Sequence, residues 1–141
     1  MKLNRTATFL LLTLVLFTSS LMISGCSKEP DDLGIGPVKK VNMGPVDKNL
    51  ADKGKAIFDL KCVACHKFDS KLVGPALKDV TKRRKPEWIM NMILNPEQMT
   101  KEDKTAKGLF AQHLTQMTFQ NVTEDEARSV LEYFRVNDGD K

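Results

Sequence analysis

Aromatic residues make up only 6% of this chain of 141 residues, and they are not interleaved with its lysines and arginines. Basic and acidic residues are mixed along the sequence, and the one basic run is KRRK at residues 82–85. A nucleic-acid-binding surface usually combines clustered basic residues with aromatic ones, so no nucleic-acid partner is expected. The basic run is interpreted as a solvated face, a docking site for an acidic partner or a balance for buried carboxylates.

Long apolar runs are also missing, and the one marked apolar stretch, at residues 9–17, is short. It follows Lys2 and Arg5 and precedes several small residues, which is the layout of a secretory signal peptide. A membrane-spanning helix needs about 18 or more apolar residues, and this stretch is interrupted by Thr13 and by residues 18–20. We therefore predict an exported protein whose residues 1–25 are removed, with a transmembrane anchor as the alternative.

The sequence ISGC at residues 23–26 resembles a bacterial lipobox, which directs a diacylglycerol group onto its cysteine. The resemblance implies that Cys26 carries lipid and holds the protein on a membrane of the cell envelope, facing the periplasm or the exterior. Several acyl chains anchor a protein more firmly than one, because each buried methylene adds about 0.8 kcal/mol. A free thiol or a disulfide partner is the alternative role of Cys26.

Residues 26–48 contain scattered charges, prolines and glycines without apolar periodicity, which predicts a flexible linker after the lipidated cysteine. Nothing in the length or composition indicates a second folded domain. Residues 49–141 are therefore predicted to form a single domain.

Helical periodicity dominates this domain, and no convincing strand is found. The patterns predict four helices, which begin at a cap on Asn49, at Pro86, near Thr100 and at a capping box formed by Thr123 and Glu126. The fold class is therefore all-α. Four modest helices in about ninety residues make a thin core, which a large apolar body would complete.

The motif CVACH at residues 62–66 is the signature of covalent c-type haem attachment. Each thiol adds to one vinyl group of the porphyrin, and the two intervening residues let Cys62 and Cys65 reach adjacent pyrrole rings. His66 then ligates the iron as the proximal imidazole. A thioredoxin-like dithiol needs a βαβ setting, and a zinc site would have to recruit the distant His113, so both alternatives are weaker.

Residues 50–136 resemble the class I c-type cytochromes, which are monohaem proteins. The resemblance rests on the haem motif, on Gly54 and Phe58 in the first helix, and on Tyr133 and Phe134 in the last. It implies a cytochrome c-like fold in which four to five short helices wrap around one covalently bound haem c. The glycine is expected to permit a close crossing of these two helices, because it has no Cβ atom.

Two further residues gain a role from this resemblance. In VGPAL at residues 73–77, the carbonyl of Pro75 is expected to accept a hydrogen bond from His66, which orients the imidazole and raises its basicity. A simple turn is the other interpretation of the glycine and proline. Trp88 resembles a tryptophan near the haem propionates, to which its indole N–H donates, with ordinary core packing as the alternative.

The family takes its sixth iron ligand from a methionine in the loop before the final helix, which corresponds to Met117. Thioether sulfur suits low-valent iron and raises the reduction potential relative to two imidazoles. Many members have proline after this methionine, whereas Thr118 stands there in this chain, which weakens the expected rigidity of the loop. His113 is the rival ligand, and a buried core histidine is its ordinary interpretation.

Two protein ligands would leave no position on the iron for a substrate, so the resemblance implies a one-electron carrier rather than an enzyme. The expected partners are redox proteins, with a respiratory donor on one side and a terminal reductase or oxidase on the other. The carrier is expected to be a monomer. The first alternative is a haem enzyme or gas sensor with an open sixth position. The second is a non-haem lipoprotein in which Cys62 and Cys65 form a disulfide or metal clip.

Overall fold

The computed structural model describes residues 32–140, which form six helices and no strand. The predicted signal peptide and the predicted lipidation site at Cys26 lie outside the described residues. None of the six helices is long and apolar enough to cross a membrane. The all-α class expected from the sequence is confirmed.

The helices are short and follow one another closely. They are α1 (Lys48–Lys61), α2 (Val80–Arg83), α3 (Pro86–Leu94), α4 (Pro96–Glu102), α5 (Lys104–His113) and α6 (Glu124–Asn137). The count exceeds the predicted four to five because α2 was missed and because the third predicted helix is divided in two. The division lies at Asp103, which ends α4 and caps α5, since its carboxylate accepts a hydrogen bond of 2.8 Å from the backbone N–H of Ala106.

Side-chain caps begin the two longest of these helices. The carboxylate of Asp47 caps α1 by accepting from the N–H groups of Asn49 and Leu50, so the prediction that Asn49 is the cap is wrong. The predicted capping box of α6 is confirmed: the hydroxyl of Thr123 accepts from the N–H of Glu126, whose carboxylate accepts from the N–H of Thr123. This box also fixes the end of the loop between α5 and α6.

Helices α1 and α6 cross at Gly54. A Cβ atom at this position would lie 2.0 Å from the carbonyl oxygen of Ser129, so glycine is required for the approach, as the sequence predicted. Beside the crossing, four aromatic rings pack with centroids 5.5–6.3 Å apart: Phe58, Phe68, Tyr133 and Phe134. Their tilted and edge-to-face arrangements are those that ring quadrupoles favour. The crossing positions the end of α1, where the haem motif begins.

Residues 33–47, which the sequence assigned to a flexible linker, instead lie against the helices as an N-terminal strap. Val38 is only 4% exposed, and Asn91 of α3 is fully buried. The amide nitrogen of Asn91 donates to the carbonyls of Leu33 and Val38 at 2.8 and 2.9 Å, and its oxygen accepts from the N–H of Val38 at 2.9 Å. The strap is held here through its backbone groups, which bond to one polar side chain. Such contacts need no regular spacing of apolar residues, so the sequence pattern did not reveal the strap.

A buried ion pair fixes the other end of the strap to α6. Arg135 donates to the carboxylate of Glu132 at 2.9 and 3.0 Å, and Glu132 is fully buried. Arg135 also donates to the carbonyl of Gly44 at 2.9 Å, while Glu132 accepts from the N–H of Asp47 at 3.2 Å. Arg128 donates to the same carboxylate. The ion pair is therefore bonded both within α6 and to the strap.

Candidate functional site

The haem motif forms a turn at the end of α1. The N–H of Cys62 donates to the carbonyl of Phe58 at 2.8 Å, and the N–H groups of Cys65 and His66 both donate to the carbonyl of Cys62 at 3.0 Å. This turn brings the two cysteines and the histidine to the wall of one cavity. Both cysteines are free thiols, and burial raises the pKa of the Cys62 thiol. Both sulfur atoms are therefore available for thioether bonds.

The imidazole of His66 is held in one orientation by its neighbours. Its Nδ1 atom lies 3.2 Å from the carbonyl oxygen of Pro75, which is the contact that the sequence predicted. A Cβ atom on Gly74 would lie 2.4 Å from Cε1 of the ring, so the glycine lets the chain pass close beside it. Burial lowers the pKa of His66, the hydrogen bond that its ring donates to the carbonyl of Pro75 opposes this effect, and the charge of His113 lowers the pKa further. Because a carbonyl can only accept, the neutral ring carries its hydrogen on Nδ1 and keeps the lone pair of Nε2 for a metal.

Met117 and His113 line the same cavity as His66. Met117 lies in the loop between α5 and α6, and His113 is the last residue of α5. The Nδ1 atom of His113 is buried without a hydrogen-bond partner, and it is the one such side-chain nitrogen or oxygen atom within residues 32–140. The structure therefore brings together the predicted proximal ligand, the predicted sixth ligand and its rival.

The remaining walls of the cavity are mainly apolar and come from α2, α3, α5 and α6. They include Val80, Ile89, Ile93, Leu109 and Val130. Haem c combines an apolar porphyrin with an iron that takes nitrogen and sulfur ligands. The two thiols, the imidazole, the thioether and the apolar walls therefore fit this cofactor.

The competing interpretations of the cysteine pair gain no support from the fold. No group of three or more His, Cys, Asp or Glu side chains that could hold a metal ion occurs in the described part of the chain. A thioredoxin-like dithiol needs a βαβ unit, and residues 32–140 contain no strand.

Trp88 also lines the cavity and is 4% exposed, and its indole N–H has a partner within the protein, while its donation to a haem propionate stays a prediction. It donates to the carboxylate of Asp103 at 3.2 Å, through the same oxygen that caps α5. The guanidinium of Arg84, from the basic run, lies over the indole at 5.3 Å from the ring centroid. The indole therefore joins α3 to the start of α5, a contact hidden from the sequence because the helix break at Asp103 was not recognised.

Two polar residues without a predicted role line the cavity and contact each other. They are Thr100 on α4 and Gln116, directly before Met117. The side-chain oxygen of Gln116 lies 2.9 Å from the hydroxyl of Thr100, and its nitrogen donates to the carbonyl of Met117 at 2.8 Å. Its place beside the predicted ligand was the signal that could have drawn attention to Gln116.

Comparison with known proteins agrees with this geometry. The family model described as Cytochrome c matches residues 51–137. The chain belongs to the cytochrome c family. Membership implies one covalently bound haem c, for which Cys62 and Cys65 are present in the attachment motif, and the function of an electron carrier.

Individual cytochromes show how far the likeness extends. The solved structure of cytochrome c from Rhodothermus marinus is similar with a TM-score of 0.75 and 43% identity, over 78% of this chain and 97% of that one. Cytochrome c2 from Rhodopseudomonas palustris is 29% identical over 108 residues, which cover 59% of this chain and 94% of the relative. Cytochrome c-551 from Stutzerimonas stutzeri is 59% identical over 32 residues, or 22% of this chain, and the match spans only 31% of that relative.

Proposed function

We propose that this cytochrome c is a membrane-tethered one-electron carrier in which His66 and Met117 would ligate the haem iron. The observation that carries the proposal is the 3.2 Å contact between Nδ1 of His66 and the carbonyl oxygen of Pro75, which leaves Nε2 of the ring for the metal. The thioether of Met117 lines the same cavity. With both axial positions filled by protein, no substrate reaches the iron, so the protein acts as a carrier and not as an enzyme.

Each residue of the site has its own role in holding the cofactor. Cys62 and Cys65 would form the thioether links, and the carbonyl of Pro75 keeps the ring of His66 in place. Apolar walls exclude water, and a thioether ligand holds the reduction potential above that of a bis-imidazole site. Trp88 contributes to the wall and fixes α5 through Asp103. When bound, haem supplies the exchange of one electron between ferrous and ferric iron.

The tether is proposed from Cys26, which the lipobox resemblance marks for lipidation after export. Leu33 is bonded to Asn91, so the six residues 27–32 separate the lipid-bearing Cys26 from this contact, a distance of at most about 25 Å. The domain is thereby kept near the membrane surface, where a respiratory donor and a terminal reductase or oxidase meet it at raised effective concentration. Cys26→Ser should move the exported protein from the membrane fraction to the soluble fraction.

Visible spectra of the full chain, exported from a host that matures c-type haem, test the ligation. We expect a low-spin spectrum in both oxidation states and no binding of carbon monoxide by the reduced wild type. Met117→Ala should become high-spin and bind carbon monoxide, because the sixth position opens. Met92→Ala is the matched control, since Met92 also lines the cavity but is expected to leave the spectrum unchanged.

The other outcomes separate the alternatives. A wild type that is already high-spin and binds carbon monoxide would favour a haem enzyme or gas sensor with an open sixth position. A Met117→Ala protein that remains low-spin and unreactive would assign the sixth position to His113.

A further inference from the structure

The loop between α5 and α6, which carries Met117, has few backbone restraints of its own. Among the bonds of residues 32–140, no backbone–backbone hydrogen bond involves residues 115–122. Three side-chain contacts connect this loop to the helices. Lys61 of α1 donates to the carbonyl of Asn121 at 3.0 Å, the hydroxyl of Thr115 donates to the carbonyl of His113 on α5 at 3.3 Å, and Gln116 is bonded to α4. Side-chain bonds therefore restrain the loop where backbone bonds do not.

Gln116 connects the backbone of Met117 to α4. Its Nε2 atom donates to the carbonyl of Met117 at 2.8 Å and lies 3.5 Å from the carbonyl of Pro96. Its Oε1 atom lies 2.9 Å from the hydroxyl of Thr100. Thr100 is only 8% exposed, so water competes little for this contact.

The surrounding acceptors fix the direction of these bonds. A backbone carbonyl can only accept, so the amide nitrogen of Gln116 faces Met117 and the amide oxygen faces Thr100. The Thr100 hydroxyl has one hydrogen, and the carbonyls of Pro96 and Glu97 also lie 3.0 and 3.1 Å from its oxygen. When the Thr100 hydroxyl donates to Gln116, the amide oxygen of Gln116 also gains a partner, so the bond is assigned this direction. A directed pair of hydrogen bonds therefore runs from α4 to the backbone of Met117.

We propose that Thr100 and Gln116 form a clamp that positions Met117 for ligation of the haem iron, an inference that rests on the His66 and Met117 ligation proposed above. Residue 118 is threonine, which does not restrict the backbone of Met117 as a following proline would. The restraint on the methionine therefore comes from side chains. Thr100 and Gln116 are positioning residues that act through Met117.

The clamp predicts a measurable change in the competition for the sixth position. An added ligand binds the fraction of molecules in which Met117 is away from the iron, so its apparent affinity rises as that fraction rises. One neutral hydrogen bond alters such an equilibrium by about three- to tenfold. Loss of either end of the clamp should therefore strengthen the binding of an added ligand by this factor.

Imidazole titration of the oxidised holoprotein tests the clamp. Thr100→Val removes the hydroxyl at nearly constant shape, and Gln116→Leu removes the amide. Both are expected to bind imidazole about three- to tenfold more tightly than the wild type, with a weaker absorption band of sulfur-ligated ferric haem. Thr100→Ser keeps the hydroxyl and should bind like the wild type. Gln112→Leu, at an exposed position on α5, is the matched control.

The outcomes distinguish failure of the clamp from failure of the ligation. If the wild type shows the sulfur band but both clamp variants bind imidazole like Gln112→Leu, the clamp is refuted. Tight binding by Thr100→Ser would also refute it, because packing and not the hydroxyl would then be responsible. A wild type without the sulfur band, or an affinity that Met117→Ala leaves unchanged, would instead refute the ligation by Met117.

Discussion

The haem cavity and the N-terminal strap both take polar side-chain atoms out of water, but they provide partners for them in different ways. At the strap, Asn91 bonds its amide oxygen to the N–H of Val38 and its amide nitrogen to the carbonyls of Leu33 and Val38. In the cavity, the buried Nδ1 atom of His113 has no partner within residues 32–140. Cys62 and Cys65 line the same cavity.

This difference indicates which part of the protein the polypeptide completes by itself. A buried polar atom without a partner costs about 1–3 kcal/mol, and at the strap the buried amide of Asn91 has partners for its oxygen and its nitrogen. The cavity joins polar and sulfur atoms to apolar walls, which suits a cofactor that is apolar and metal-binding at once. The stability of the cavity should therefore depend on the haem, and that of the strap on its hydrogen bonds and ion pair.

The largest effect is expected when both haem-attaching thiols are replaced. With Cys62→Ser and Cys65→Ser, the thin core loses the apolar body that its walls enclose. We expect the free energy of unfolding to fall by more than about 5 kcal/mol, which equals the whole stability of a marginal domain. Thermal unfolding followed by circular dichroism measures the loss. A double variant that unfolds at the wild-type temperature would show that the cavity side is complete without haem.

The next largest effect is expected at the ion pair between the strap and α6. Arg135→Met removes two hydrogen bonds from the fully buried carboxylate of Glu132 and leaves Arg128 as its remaining cationic partner, at a cost of about 3 kcal/mol, the lower end of the range for a broken buried pair. Denaturant unfolding should show this loss, while the haem spectrum of the folded protein stays unchanged.

The matched control for this prediction is Lys82→Met. Lys82 forms an ion pair of 2.8 Å with Asp79, but both side chains are exposed to water. Exposed ion pairs contribute little to stability, so no measurable change is expected. Equal effects of the two substitutions would contradict a special role for the buried pair.

The smallest of these effects is expected for substitution of Asn91, which changes only the hydrogen bonds between α3 and the strap. Asn91→Leu keeps a similar size but removes the three hydrogen bonds to the strap, at a cost of about 1–3 kcal/mol. Amide hydrogen exchange should show loss of protection at Val38, with the haem spectrum unchanged. Asn42→Leu, at an exposed position of the strap, is the matched control and should leave the exchange of Val38 as in the wild type. Protection at Val38 that persists in Asn91→Leu would show that packing, not this side chain, holds the strap.

The sequence was sufficient for features whose signals are local. The haem motif at residues 62–66 has fixed spacing, the capping box of Thr123 and Glu126 spans one turn, and Gly54 stands in a regular helical pattern. Each of these determines nearby backbone geometry directly. The all-α fold and the cavity that joins Cys62 and His66 followed from them.

The strap and the environment of Trp88 could not be predicted, because they depend on residues far apart in the sequence. Asn91 bonds to Val38 across 53 positions, and Arg135 bonds to Gly44 across 91. A polar side chain bonded to distant backbone leaves no periodic pattern. Similarly, the partner of the Trp88 indole depends on a helix break at Asp103 that helical periodicity did not mark.

The mass of the exported protein after denaturation tests most directly the central claim, that covalent haem completes the cavity side. We predict the mass of the processed, lipidated polypeptide plus one haem, and attachment of that haem to the peptide that contains Cys62 and Cys65. The mass of the polypeptide without haem, with both of these thiols open to alkylation, would contradict the claim.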